Sequence, residues 1–240
     1  MNNDESASLK GHRVVSAADW LAARAALLEK EKAFSRQRED LARERRALPW
    51  ERVDMPYVFR GPGGEESLAA LFGAHSQLIV YHFMFNPESS VGCAHCSFWA
   101  DHYDGVLVHL DHRDVSFAAI SRAPLERIEA FRKRMGWRFK WVSSGGTDFN
   151  YDYQASFTPA AIKSGSVFYN YRQSQAGPAD REGISVFFRD DAGAVFHTYS
   201  CYARGIDMVN GTYQFLDLVP KGRDEDPERP QSWVRYHDAY

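Results

Sequence analysis

The chain has 240 residues, room for one large domain or a domain with an appendage, and its 44% hydrophobic and 14% aromatic content excludes disorder as the default. Twenty-nine Lys and Arg against 32 Asp and Glu leave a net charge of −3, which excludes a global basic field for nucleic acid. No apolar stretch approaches the roughly 20 residues of a membrane span.

Residues 1–15 read as a loose polar start without the apolar core of a signal peptide, so the expected compartment is the reducing cytosol. Ser16 and Asp19 then form a capping-box pattern. From there to Leu48 no Gly or Pro occurs, and Ala, Leu, Glu, Lys and Arg dominate, which predicts one long helix. Trp20, Leu27, Phe34, Leu41 and Leu48 recur every seven residues. That stripe fits a helix lying along its own domain, and equally an arm packing on a second copy of the chain. The expected division is therefore residues 1–49, a polar tail and amphipathic helix, and residues 50–240, the main domain.

Residues 50–60 read as extended, residues 61–64 as a Gly-Pro-Gly-Gly turn and residues 67–72 as a short helix. Residues 78–85 are almost continuously apolar, with β-branched and aromatic side chains, as in a strand buried on both faces. A helix is expected to run to about Leu110, a second buried strand over 114–121, an amphipathic helix over 124–135 and a short strand over 139–143. Residues 144–178 are rich in Gly, Asn, Asp and aromatics and are expected to pack as an ordered insertion. Residues 184–189 and 194–200 flank a turn and predict a β-hairpin, and residues 210–218 a helix. Trp233, Tyr236 and Tyr240, at helical spacing, are expected to dock the C-terminus.

Between the first buried strand and its helix lies Cys93-Ala94-His95-Cys96, which holds two of the three cysteines. Two thiols at a helix start can cycle through a disulfide, or two thiolates can hold half of a metal site. The strand–turn–helix setting favours the first. The element order is that of a thioredoxin-like α/β fold: a mixed sheet flanked by helices, with a long N-terminal helix and an irregular insertion before the final hairpin.

The chain resembles the DUF899 family of bacterial proteins in the thioredoxin-like superfamily. The matching stretches are residues 78–85, 92–101, 121–124, 134–138, 148–152, 196–200 and 203–205, spread over about residues 14 to 240. The resemblance implies the fold and a thioredoxin-like position for the cysteines. Two features depart from the superfamily pattern. Gly92 replaces an aromatic before the first cysteine, and Glu182-Gly183 stands where a cis-proline is usual.

In the redox reading Cys93 is the attacking thiol, Cys96 the resolving thiol and His95 a stabiliser of the Cys93 thiolate. No cofactor is needed. The partners are a small thiol, disulfide or peroxide substrate and a recycling reductant. Pro87, Ser90 and Cys93 approach a peroxidase pattern, with Arg122 as a candidate to orient the peroxide. The alternative is a Cu or Zn site built from Cys93 and Cys96 with His82 and His197. A third reading is a non-catalytic dimeric interaction protein that works through its long helix. His102, His109 and His112 are expected on a solvated helix face, and Cys201, Tyr81, Trp99, Trp137 and Trp141 in the core. Asp101 reads as exposed or as a proton relay.

Overall fold

The structure is a computed structural model that describes residues 11–240 and the backbone of Ser8 and Leu9; most of the expected polar start lies outside the described residues. The chain divides into two units, one ending at Leu48 and the other spanning Pro49–Tyr240. In the first, β1 (Ser8–Leu9) pairs with β2 (His12–Arg13) ahead of α1 (Ala17–Arg46). The cap forms as the sequence predicts. Ser16 Oγ accepts from the Asp19 amide at 3.2 Å, and Arg43, Arg45 and Arg46 occupy the last turn, where the helix dipole favours positive charge. The helix is about 45 Å long at 1.5 Å per residue, and none of its residues is buried.

The second unit begins with β3 (Glu51–Arg52) and the hairpin of β4 (Val58–Gly61) and β5 (Gly64–Ser67). The short helix expected over 67–72 is a 3-10 turn at Ala69–Phe72, because Ser67 pairs with Val58 as the last residue of β5. Next come β6 (Gln77–His82), α2 (Ala94–Ala100), α3 (Leu107–Asp111), β7 (Val115–Ser121), α4 (Leu125–Arg134) and β8 (Lys140–Ser143). The single helix expected to Leu110 is thus broken over residues 101–106. There the Asp104 carboxylate accepts from the backbone N–H of Arg138 and Phe139, fixing the entry to β8.

The insertion is ordered. It carries α5 (Phe149–Asp152), α6 (Pro159–Lys163) and the hairpin of β9 (Ser166–Tyr169) and β10 (Arg172–Gln175), with a small core of Phe157, Val167, Tyr169 and Tyr202. The expected hairpin is β11 (Gly183–Arg189) with β12 (Val195–Tyr202). A 3-10 segment, Ala203–Val209, and α7 (Gly211–Leu216) follow. Of the C-terminal aromatics Trp233 lies in a turn and Tyr236 and Tyr240 on irregular chain, none of them in a helix, and Tyr240 is exposed.

The main sheet runs β3-β12-β11-β6-β7-β8-β4-β5. Strands β6, β7 and β8 are parallel, β11 runs antiparallel to them, and β12, antiparallel to β11, runs in their direction again. This is a thioredoxin-like mixed sheet with helices on its faces. Strand β6 is central, and its side chains alternate between two cores. Ile79, Tyr81 and Phe83 face a cluster that includes Cys96, Trp99, Phe131 and Trp141. Leu78 and Val80 face another, with Phe59, Phe149 and Phe187. Among the described residues no helix is long and apolar enough to cross a membrane.

Candidate functional site

The loop leaving β6 turns back on itself so that one residue, Met84, holds both cysteines. The Cys93 N–H donates to the Met84 carbonyl at 3.1 Å, and the Met84 N–H points at Cys96 Sγ at 3.4 Å. Gly92 is required just before the pair. A Cβ there would sit 2.7 Å from the Phe83 ring and 2.8 Å from that of Phe131. That close approach explains why glycine replaces the expected aromatic. Cys93 is the N-cap of α2, and its carbonyl accepts from Ser97 N at 3.0 Å and Ser97 Oγ at 2.9 Å. The Cys96 carbonyl accepts from the buried Tyr81 hydroxyl at 3.2 Å, the partner that this core tyrosine needs.

The two thiols are free and unequal. Cys93 is partly exposed, whereas Cys96 is 1% exposed. The Cys96 thiol donates to the Cys93 sulfur, and this bond is the largest influence holding the Cys93 pKa far below that of an ordinary thiol. Burial opposes it, while the His95 ring adds a second hydrogen bond and the Cys96 backbone N–H a third. Cys96 is pushed up, first by burial and then by its bond to Cys93. His95 is raised chiefly by its bond to Cys93. These influences push Cys93 toward the thiolate and Cys96 toward the neutral thiol, with the exposed His95 imidazole beside them. The helix-end contribution expected for Cys93 is the bond from the Cys96 backbone N–H, which ranks below those of the two side chains.

His82 and His197 do not join the cysteines. His82 is on the opposite face of β6, where it stacks on Phe149 at 5.7 Å. Its Nε2 bonds Ser185 Oγ at 2.8 Å, Ser185 bonds Ser200 at 2.8 Å, and Ser200 bonds His197 Nε2 at 2.7 Å. The two histidines are thus linked to each other through two serines, and the sheet separates them from the thiols. Among the described residues no group of three His, Cys, Asp or Glu is arranged to hold a metal. The four-residue metal set is corrected accordingly: strand alternation sends half of it to the wrong side.

Other expectations resolve as packing contacts. Arg122 pairs with Asp180 at 2.7 Å and donates to Tyr151 Oη at 2.8 Å, so its guanidinium is committed to the insertion and the segment that follows it. His102 is not on a solvated face, since it bonds Thr212 Oγ1 at 3.0 Å. Asp101 is exposed, as expected, though not without partners. It accepts from Trp137 Nε1 at 2.8 Å and bonds His237 Nδ1 at 2.7 Å.

Sequence reasoning missed three residues at the site. Tyr236 donates to the Gly92 carbonyl at 2.7 Å, and its own pKa is raised by burial and then by the Cys93 thiolate. The backbone of Gln231 hydrogen-bonds His95. Glu182 acts electrostatically on Cys93's partners: it raises His95 and Cys96, and its own pKa is raised by burial and by Cys93. The one signal available beforehand was the position of Glu182 at the start of the hairpin.

The family described as "Bacterial protein of unknown function (DUF899)" matches residues 9–240, and the chain belongs to it. Among solved structures, the chain is similar to a peroxiredoxin Q of Xanthomonas campestris at 14% identity, covering 69% of this chain and 96% of that one with a TM-score of 0.46. A PrxQ of Xylella fastidiosa aligns at 7% identity over 70% and 96%, with a TM-score of 0.45. The peroxidoxin BcpB of Mycobacterium tuberculosis aligns at 14% over 68% and 94%, with a TM-score of 0.39. No curated protein matches the chain.

Two measurements check these electrostatics. His95→Ala removes a donor to the Cys93 sulfur, so the Cys93 pKa is expected to rise by roughly one unit. The pH dependence of alkylation would show this, and an unshifted profile would mean that His95 has no hold on the thiolate. His82 titrates at about 3, lowered by burial and then by His197, against 6.5 for a free histidine. The unfolded chain therefore binds this proton first as pH falls. Its contribution to stability is complete above pH 6.5 and is lost toward pH 3, at about 1.4 kcal/mol per unit. Urea unfolding at a series of pH values is expected to show a shallower acid slope in His82→Leu; equal slopes would contradict the buried neutral ring.

Proposed function

We propose that the chain is a thiol–disulfide or peroxide redox protein of the reducing cytosol. The observation that carries this reading is the placement of the thiols: Cys93 is the partly exposed N-cap of α2, Cys96 lies buried one turn further in, and Met84 hydrogen-bonds both.

With a disulfide RS–SR′, the Cys93 thiolate forms Cys93–S–SR and expels R′S⁻. Cys96, once deprotonated, attacks Cys93 Sγ, closes the Cys93–Cys96 disulfide and expels RS⁻. With a hydroperoxide, Cys93 takes the distal oxygen, ROH leaves after gaining a proton, and Cys96 condenses with the sulfenic acid to give the same disulfide and water. Two electrons from a small thiol or a reductase then restore both thiols. No metal or organic cofactor enters either sequence.

Cys93→Ser is expected to abolish thiol-dependent turnover, down by at least about 1,000-fold. Cys96→Ser is expected to keep the first step and stall as a stable mixed disulfide, visible by intact mass. Undiminished turnover in Cys93→Ser sinks the reading.

The homodimer expected from the heptad spacing belongs to the same proposal. Trp20, Leu27, Phe34 and Leu41 are all exposed along one stripe of α1, with exposed Leu48 just past its end, and a second α1 offers the matching stripe. Sedimentation at micromolar concentration is expected to give a dimer that becomes monomeric when Leu27 and Phe34 are both changed to Lys. A monomeric wild type would remove the arm from the proposal.

A further inference from the structure

The register of β11 against β6 brings one more acid–base group to the thiol face. Gly183 pairs with His82, so Glu182 stands one step further along, across from Phe83. Directly opposed residues of an antiparallel pair project to the same face. Phe83 packs in the cluster that contains Cys96, whereas His82 lies on the other side. Glu182 therefore comes off the neighbouring strand toward the cysteines, alongside Met84, whose amide and carbonyl hold them. Its backbone is fixed there, with the Glu182 carbonyl accepting from Tyr169 Oη at 2.9 Å. Gly183 leaves no freedom to shift, since a Cβ on it would lie 2.5 Å from the Tyr202 ring.

The chemistry needs such a group. Ring closure requires Cys96 as a thiolate, yet burial keeps it protonated. Cys93, Glu182, the Met84 amide and the Tyr81 and Tyr103 phenols are the groups that act on Cys96. Of these, Cys93 is bonded to the substrate at that stage, an amide N–H is no base, and burial holds both phenols in their protonated form, which leaves the carboxylate that the strand register brings to this face. We propose that Glu182 is the proton acceptor for Cys96 in the closing step. This inference rests on the redox reading above.

The balance is as follows. Cys96–SH passes its proton to Glu182–COO⁻, and the new thiolate attacks Cys93 Sγ. The Cys93–SR bond breaks and RS⁻ departs; an aliphatic RS⁻ takes the proton back from Glu182 to leave as RSH, and where RS⁻ is a weakly basic aromatic thiolate the proton passes to solvent instead. The other groups that act on the carboxyl fit this sequence. Arg181 and His95 favour its ionised form, and the Cys93 thiolate favours its protonated form. Tyr81 and Tyr169 face it as neutral phenols whose ionisation burial suppresses first and Glu182 further. When Cys93 has reacted, its negative charge is gone, which shifts Glu182 toward its ionised form at the stage where a base is required.

The test uses the full chain and an aromatic disulfide that releases a coloured thiolate at each step. The first release reports Cys93, and the second reports closure by Cys96. In Glu182→Gln the first release is expected within about 3-fold of wild type, and the second roughly 100-fold slower near neutral pH. The variant's second release should climb about tenfold per pH unit, following the Cys96 thiolate alone. A second release equal to wild type overturns the assignment. A faster one does so as well, because removing a charge that merely repels the Cys96 thiolate speeds closure. The wild type offers an independent check should glutamine disturb the site. Its second release is expected to be nearly flat between about pH 6 and 8, and a tenfold rise per unit over that range overturns the assignment. A wild type with no first release removes the redox reading itself, an outcome distinct from the loss of closure alone.

Discussion

Side chains along a strand alternate between faces, and on β6 that alternation decides which chemistry the cysteines can meet. Tyr81 and Phe83 go to the thiol side, where one binds the Cys96 carbonyl and the other shapes the space at Gly92. His82, between them, goes to the far side and is sealed among aromatics and serines. A shift of one residue in β6 would exchange the two sets. It would bring an imidazole to the thiols and carry the aromatic wall away. The register is fixed against such a slip, because β7 and β11 both pair with β6 along its whole length.

Given that placement, the inequality of the two thiols follows from depth and from a single shared proton. Cys93 lies at the mouth of the loop and Cys96 one helical turn further in. Each sulfur is within reach of the other, so the proton that stays on Cys96 is the one that stabilises the charge on Cys93. The opposite directions of the two pKa shifts describe one coupled pair rather than two independent sites. A second charge on Cys96 would stand beside the first in a buried setting, which is why the closing step depends on a nearby base.

The parts of this arrangement legible in the sequence are those set by local pattern. Residues 78–85 carried the buried strand in their composition, Ser16 and Asp19 the start of α1, and the Cys93–Cys96 spacing the thiol pair. The long helix drawn through to Leu110 failed because Asp104 is used by β8, a tertiary demand with no local trace. The metal set failed for a related reason. His82 and His197 were chosen as being near the loop in the fold, but nearness along strands says nothing about which face a side chain takes until the register is known. Glu182 was visible only as a departure from the superfamily pattern. Its relation to Phe83 depends on pairing between segments about 100 residues apart, which one sequence does not specify.

The wall of the site comes from outside the thioredoxin-like core. The core supplies Cys93, His95 and Cys96, and the hairpin supplies Glu182. The C-terminal segment then lies over the loop, with Tyr236 on the Gly92 carbonyl and the Gln231 backbone at His95. It is tied down independently of the cysteines. Arg134 forks onto Asp238 at 2.8 and 2.9 Å, and Glu225 accepts from Tyr213 Oη, Gln231 N and Trp233 Nε1. The cover over the Cys93 loop is therefore held from α4 and α7, by bonds that no reaction at the thiols would touch.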